Sequence, residues 1–223
     1  MCINGFRSGY GKEYKKGNLV FDGKYLYSQR ISGIEFIKDK LEFEGEYLFN
    51  KKWKGKGYDE YGNVIYELIN GNGTSREYHD NCLLKFEGNY NNGLRNGFGK
   101  EYDENCILIF EGEYLNGKRT GIGKEYTNWG RLKFEGEFLN GKRNGFGKEY
   151  FGNGQLKFEG EYLNGKRNGK GKEYDDNGKL KCEGNYLNGD KNGEFKVYDN
   201  GFFSRQISYL NGIEKFIKEC IIY

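Results

Sequence analysis

The stretch Phe158-Glu159-Gly160-Glu161-Tyr162-Leu163-Asn164-Gly165-Lys166-Arg167-Asn168-Gly169-Lys170-Gly171-Lys172-Glu173-Tyr174, closed by Asp175-Asp176-Asn177-Gly178, decides the fold. Over 156–163, Phe158, Gly160 and Tyr162 share one face and Lys157, Glu159, Glu161 and Leu163 the other, the period of two of a β-strand. Asn164-Gly165 and Asn168-Gly169 bound a predicted turn, Gly165-Lys166-Arg167-Asn168, because Asn and Gly tolerate positive φ. A second strand, Gly169–Tyr174, follows, and Asp175–Gly178 reverses the chain again. The glycines and the lack of a 3.6-residue apolar stripe exclude a helix.

Working outward, Phe-Glu-Gly recurs at Phe86, Phe110, Phe134 and Phe158, with Cys182-Glu183-Gly184 next, and the step between copies is the same each time. Upstream, Phe21-Asp22-Gly23 and Phe43-Glu44-Gly45 continue the series with a step shorter by two positions, and the gap before Phe86 holds a shortened copy beginning near Tyr66. The N-terminal Asn4–Tyr14 reads as a half unit, and Ile31–Phe36 is aligned with Arg143–Lys148. The whole chain, 1–223, reads as one array: degenerate repeats over 1–82, regular ones over 83–200, and a C-terminal capping repeat over 201–223. In the cap, Ile207 stands where Gly184 stands one unit earlier. Branched residues from Ile213 to Tyr223 replace the glycine-rich strand, with Lys215 and Lys218 guarding an edge. The expected fold is all-β: an elongated single-layer antiparallel meander of about 8–9 stacked hairpin repeats of 22–24 residues. Its repeat positions are Phe110, Gly112 and Tyr114; Phe134, Gly136 and Phe138; Phe158, Gly160 and Tyr162. The glycines are expected to leave troughs for the rings.

Composition agrees with a thin structure. There are 37 Gly and no Pro, aromatics make up 17%, and mean hydropathy is -0.94, too polar for a thick aliphatic core but too aromatic for a disordered chain. Net charge is +3 from 36 basic and 33 acidic residues, and no aromatic-basic motif marks a nucleic-acid reader. No apolar run approaches the roughly 18 residues of a membrane helix, and no signal peptide is recognisable, so a cytoplasmic protein is expected. The five cysteines follow no metal or disulfide spacing. Cys82 and Cys106 stand where other copies carry Gly154 and Gly178, and are expected to be free thiols.

The pattern Phe158-x-Gly160-x-Tyr162-x-x-Gly165-Lys166-x-x-Gly169-x-Gly171 resembles the MORN repeat (membrane occupation and recognition nexus). The same phase holds at 110–123, 134–147 and, without its first aromatic, 182–193. The unit here is one position longer than the family's usual one, and Asn144 and Asn168 stand where the family often has His. The longer unit is also similar to bacterial MORN-variant proteins. The resemblance implies rods of stacked hairpins that act as scaffolds, dimerise, or attach to membranes or the cytoskeleton.

The remaining chemistry reads as by-product of the repeat. Gly112…Gly117-Lys118, Gly136…Gly141-Lys142 and Gly160…Gly165-Lys166 imitate a nucleotide loop, but Arg follows where Ser or Thr would bind Mg²⁺. Glu135/Glu137 and Glu159/Glu161 imitate paired catalytic acids but read as cross-strand ion pairs. His79 has no nucleophile partner, and Trp53 and Trp129 are expected to stack. No catalytic, cofactor or metal residues are expected. The positions singled out for lipid or partner binding are Arg95, Lys118, Arg119, Lys142, Arg143, Lys166 and Arg167, which stacking would align into a basic ridge at the hairpin tips. The expected function is a non-catalytic scaffold binding a protein partner through a ring-lined face or edge. The alternative is a peripheral module for anionic phospholipid surfaces, and homodimerisation is a further expectation.

Overall fold

A computed structural model describes residues 2–3 and 5–215. The described residues form β-strands joined by short turns, with no helix among them. They group into two compact units. One runs from the N-terminus through Cys106 and takes in Tyr114–Gly117; the other comprises Ile107–Glu113 and the chain from Lys118 on. Within each unit, successive strands pair antiparallel with their sequence neighbours, so the architecture is an antiparallel meander of stacked β-hairpins. The part of the expected cap that falls on Phe216–Tyr223, including Lys218, lies outside the described residues. The strand Phe202–Leu210 pairs with Ile213–Lys215, and Ile207 lies opposite Phe195 as Gly184 lies opposite Gly171 one unit earlier.

The strand Leu156–Leu163 shows why this sequence folds so. Phe158 is 0% exposed, although only one layer of backbone supports it. Gly160 lies directly across from Gly171 on Lys166–Tyr174, and the ring lies over this pair. A Cβ at Gly160 would stand 2.8 Å from Phe158 Cζ and 2.7 Å from Gly171 Cα; one at Gly171 would stand 2.5 Å from the same Cζ. The two glycines therefore make the trough, and the ring fills it. Tyr162 and Tyr186 meet the ring edge-on, at centroid distances of 5.6 and 5.2 Å. Burial of each ring contributes roughly 2–3 kcal/mol, and each T-shaped pair adds about 1 kcal/mol. Phe110 and Phe134 repeat the arrangement, each 0% exposed, with Phe138 serving both as its second ring.

The turn differs from the expectation. Asn164 (φ 52°) and Gly165 (φ 89°) alone make it, and the strand resumes at Lys166. Positive φ at both central residues is the type I′ geometry that matches strand twist in a two-residue hairpin. The second Asn-Gly does different work. Between the pairs Gly160↔Gly171 and Tyr162↔Arg167, the single residue Glu161 faces Asn168, Gly169 and Lys170, so the strand bulges there. Gly169 has φ 100°, and the Glu161 carboxylate accepts the Lys170 N–H at 3.3 Å inside the bulge.

A second correction concerns the degenerate N-terminal copies. Gly23 pairs with Gly33, so Gly33 corresponds to Gly147 and not to Gly145, and Arg30 corresponds to Arg143. In sequence, Gly33 stands one position nearer to its ring, Phe21, than Gly171 stands to Phe158. The next ring position, Phe43, likewise follows Gly33 one position sooner than Cys182 follows Gly171. The shorter unit thus has a bulge smaller by one residue and a far turn shorter by one. At that far turn Cys82 (φ 63°) and Cys106 (φ 64°) adopt the left-handed conformation of Gly154 (φ 87°) and Gly178 (φ 80°), and both thiols are free.

Candidate interaction surface

The ring-bearing face is closed over by charge. Arg167 Cζ lies 3.9 Å above the Phe158 centroid. Its guanidinium donates to Glu149 at 2.7 Å and to Glu173 at 2.9 Å. Glu149 also accepts from Arg143 at 3.2 Å and from the Tyr162 hydroxyl at 2.8 Å. Each carboxylate therefore joins the cation of its own repeat to that of the next, and the row runs Arg119–Glu125–Arg143–Glu149–Arg167–Glu173–Lys191. In the other unit Arg95 lies 3.9 Å over Phe86 and pairs with Glu77 and Glu101, while Arg30 lies 4.4 Å over Phe21 and pairs with Glu13 and Glu35. Burial would raise the Glu149 and Glu173 carboxyls, but the Arg167 and Lys191 partners outweigh it and hold both below the usual carboxylate range.

This divides the predicted basic row. Arg95, Arg119, Arg143 and Arg167 point inward, half-buried under their own ion pairs. Lys118, Lys142 and Lys166 stand exposed. The expectation of an exposed Lys-Arg tip fails for Arg167 because the strand resumes right after the two-residue turn, and that puts Tyr162↔Arg167 on the ring face and Leu163↔Lys166 on the outer one. A ring-lined face open to a partner is likewise corrected: Phe110, Phe134 and Phe158 are fully covered, and Tyr114, Phe138 and Tyr162 nearly so.

What remains free lies on the outer face and the tips. Leu139, Leu163 and Leu187 stand half-exposed at successive tips, Leu139 and Leu163 beside Lys142 and Lys166. In the bulge row Ile122 and Phe146 are also half-exposed, at 59% and 49%. Beside Phe146 opens a groove of about 660 Å³, bordered by Lys170, Lys172, Lys196, Glu159 and Glu194. Its acids are partly engaged: Glu159 accepts the Tyr174 hydroxyl at 2.7 Å and faces Lys172 at 4.0 Å. Glu137 and Glu161 instead accept backbone N–H groups of the bulges, so the expected cross-strand ion pairs hold for only part of this set. His79 binds the Tyr102 carbonyl through Nε2 at 2.9 Å, a link between neighbouring turns. Gly117, Gly141 and Gly165 sit in hairpin turns with no helix after them, which rules out the phosphate-loop geometry. Trp129 does not stack as expected; it is 87% exposed at a far turn, whereas the Trp53 ring packs beside Gly71 and Gly93.

Sequence reasoning missed a rearrangement in the unit of Cys182. That residue takes the place of the ring, and Phe195 takes the place of the second glycine, opposite Gly184. The ring thus enters the same space from the other strand and is 0% exposed, edge-on to Tyr186 and Tyr209 at 5.3 Å each. The signal was available: ring lost and glycine lost in one repeat, at positions that face each other.

Stacked hairpins with a glycine trough, a buried ring and an inter-repeat ion-pair row define a β-hairpin repeat protein. The chain carries MORN repeats: the family's model, MORN repeat, matches five segments, residues 3–19, 86–105, 110–131, 134–156 and 158–179. Repeats of this family serve generally as modules of interaction with proteins and membranes and are generally non-catalytic. No curated protein matches the chain. Among solved structures, a chain of "Crystal Structure of TcdB2-TccC3-Cdc42" is similar at 11% identity over 86% of this chain and 14% of that one, with a TM-score of 0.20, and carries no inference about function. Among the described residues no helix is long and apolar enough to cross a membrane.

Proposed function

We propose that the protein is a non-catalytic scaffold that holds a protein partner on its outer face, in the groove beside Phe146. One observation carries this reading. The arginines, glutamates and rings of the inner face are spent on one another, whereas Phe146 and the leucines of successive tips stand exposed beside charges of both signs. Exposed apolar anchors inside a polar rim are the composition of a transient protein interface. The test compares proteins cross-linked in cells by the wild-type chain and by Phe146→Glu and Leu163→Glu, both at surface positions. A partner lost from both variants, at unchanged melting temperature, supports the reading; an identical set of partners overturns it.

A second reading rests on the Leu139–Lys142 and Leu163–Lys166 cross-strand pairs. A leucine beside a lysine at successive tips suits an anionic lipid surface, where each basic residue contributes about 1 kcal/mol. Co-sedimentation with phosphatidylserine vesicles separates the two readings. Binding lost in Lys118→Glu/Lys142→Glu/Lys166→Glu favours lipid, and no binding at low salt removes it.

A further inference from the structure

The unit that begins at Tyr66 is the shortest in the array, running only to Lys85 before the next ring at Phe86. Leu68 pairs with Gly73 and Ile69 with Asn72 around the Asn70-Gly71 turn, so this hairpin closes early and its tip is missing. The positions held by Tyr162 and Arg167 in a regular unit have no counterpart. The preceding unit has also lost its ladder acid: Gly57 faces Phe43 where Glu173 faces Phe158. One arginine and one glutamate are thus absent from the row at the same place.

The missing tip leaves a cavity of about 480 Å³. Tyr47 and Lys52 of the unit before wall it on one side, Tyr90 and Arg95 of the unit after on the other, with Leu68 and Glu77 between. Such a volume lies in the range of about 300–1,000 Å³ usual for small-ligand sites. The ion-pair row stops on an acid on both sides. Glu13–Arg30–Glu35–Lys52 ends at Glu42, and the row resumes with Glu77–Arg95–Glu101. Glu125, Glu149 and Glu173 each bind cations from two repeats, whereas both oxygens of Glu77 are engaged by Arg95 alone among cations. The Glu77 side chain is 37% exposed, against 18–21% for those three. The cover it lacks is a second guanidinium.

We propose that this truncated repeat is a binding site for a guanidinium group, which enters where the array's own arginine is missing. Its charge meets Glu77, and its plane meets the tyrosines that border the cavity, as each internal arginine meets a carboxylate and a ring. A planar fork satisfies a carboxylate better than an ammonium does, so the site selects guanidinium over alkylamine. The group comes either from a free guanidine compound or from an arginine side chain of a partner.

The test is calorimetric titration of the full chain with agmatine, with an acetyl-Gly-Arg-Gly-amide peptide, and with putrescine as the ammonium control. Saturable binding of a guanidinium probe is expected, weaker by about tenfold or more for putrescine and for Glu77→Gln. A second variant restores the missing tip by inserting the stretch that makes the hairpin regular, arginine included. It is expected to abolish binding while raising or holding the melting temperature, and it decides the matter where Glu77→Gln fails to fold. Agmatine binding the tighter assigns a free guanidine; the peptide binding the tighter assigns a partner's arginine. No saturable binding of either probe at millimolar concentration, putrescine binding as well as agmatine, or binding that persists in the tip-restored variant overturns the proposal.

Discussion

The regular units around Phe134 and Phe158 and the short unit at Tyr66 solve one problem in two ways. In the regular units a ring lies over two glycines, an arginine lies over the ring, and two acids hold the arginine. In the short unit Tyr66 lies nearly parallel to Phe43, at 14° and 6.3 Å, where the regular rings meet at 82–90°. Leu68 occupies the place of Gly160 and is 1% exposed, and the Tyr66 hydroxyl donates to the buried Glu42 at 2.9 Å. The unit at Phe21, by contrast, keeps ring, glycine pair, cation and acid while losing bulge and turn residues. The difference shows what the repeat can lose. Loop length is free, and cation, acid and glycine can be lost separately: the unit at Phe43 keeps Gly45 opposite Gly55 but has Gly57 in the acid's place, whereas the short unit keeps the acid Glu77 and has Leu68 in the glycine's place.

The largest effect should come from the rearranged unit. Phe195→Gly empties a filled trough and should cost about 4 kcal/mol. Cys182→Phe alone crowds the same space and should cost about 2 kcal/mol. The double variant rebuilds the regular arrangement and should return to within about 1 kcal/mol of wild type, a coupling read from urea midpoints in a double-mutant cycle. Simple additivity would show that the two positions do not share one space.

At the glycine position itself, Gly160→Val should cost about 3 kcal/mol, because its branches meet backbone as well as ring. Leu68→Gly, at the equivalent position of the short unit, should cost a similar amount for the opposite reason, an unfilled core. Equal tolerance of both by thermal denaturation would erase the contrast between the units.

Arg143→Met keeps the stem over Phe134 but takes one of two cations from each of Glu125 and Glu149, and should cost about 2 kcal/mol given the partial exposure of the pairs. Acid should reveal the same row. The Glu149 and Glu173 carboxyls lie below their ordinary value of 4.5, so their stabilisation is fully present above that value and is lost as pH falls through their folded pKa. Glu42 has the opposite sign: burial outweighs Lys52 and its tyrosine donors and raises its pKa, so ionisation above the ordinary value weakens the fold there. Stability measured from about pH 3 to 7 should therefore rise less steeply in Glu149→Gln and more steeply in Glu42→Gln than in wild type. The smallest effect should be that of Lys142→Glu, within about 0.5 kcal/mol, since the side chain is exposed at a tip.

The period and the face of rings and glycines were legible in the sequence because alternation along a strand leaves few choices. The arginines were not. Beside a lysine and between two Asn-Gly pairs, Arg167 reads as part of a turn, and only the two-residue closure at Asn164-Gly165 turns it onto the ring face. The bulge hid for the same reason, since Asn168-Gly169 looks like a turn edge until Glu161 is seen to fill it. Compensation across strands, as with Cys182 and Phe195, is invisible to a reading that scores each position of a motif separately.

The stitching between tips has a consequence for how such a chain can change length. Gly165 N–H donates to the Arg143 carbonyl at 2.8 Å, and Gly189 N–H to that of Arg167 at 2.9 Å, while the Asn188 N–H donates to Asn168 Oδ1 at 3.2 Å. The copies at Phe134 and Phe158 therefore each offer their successor the same three things: a carbonyl, an amide oxygen and an acid. Excision of 134–157 would leave Glu125 facing Arg167 and the Arg119 carbonyl facing Gly165, partners of the same kind as before. Copy number is thus a variable that recombination can edit in whole steps, each leaving a seam chemically identical to the ones already there.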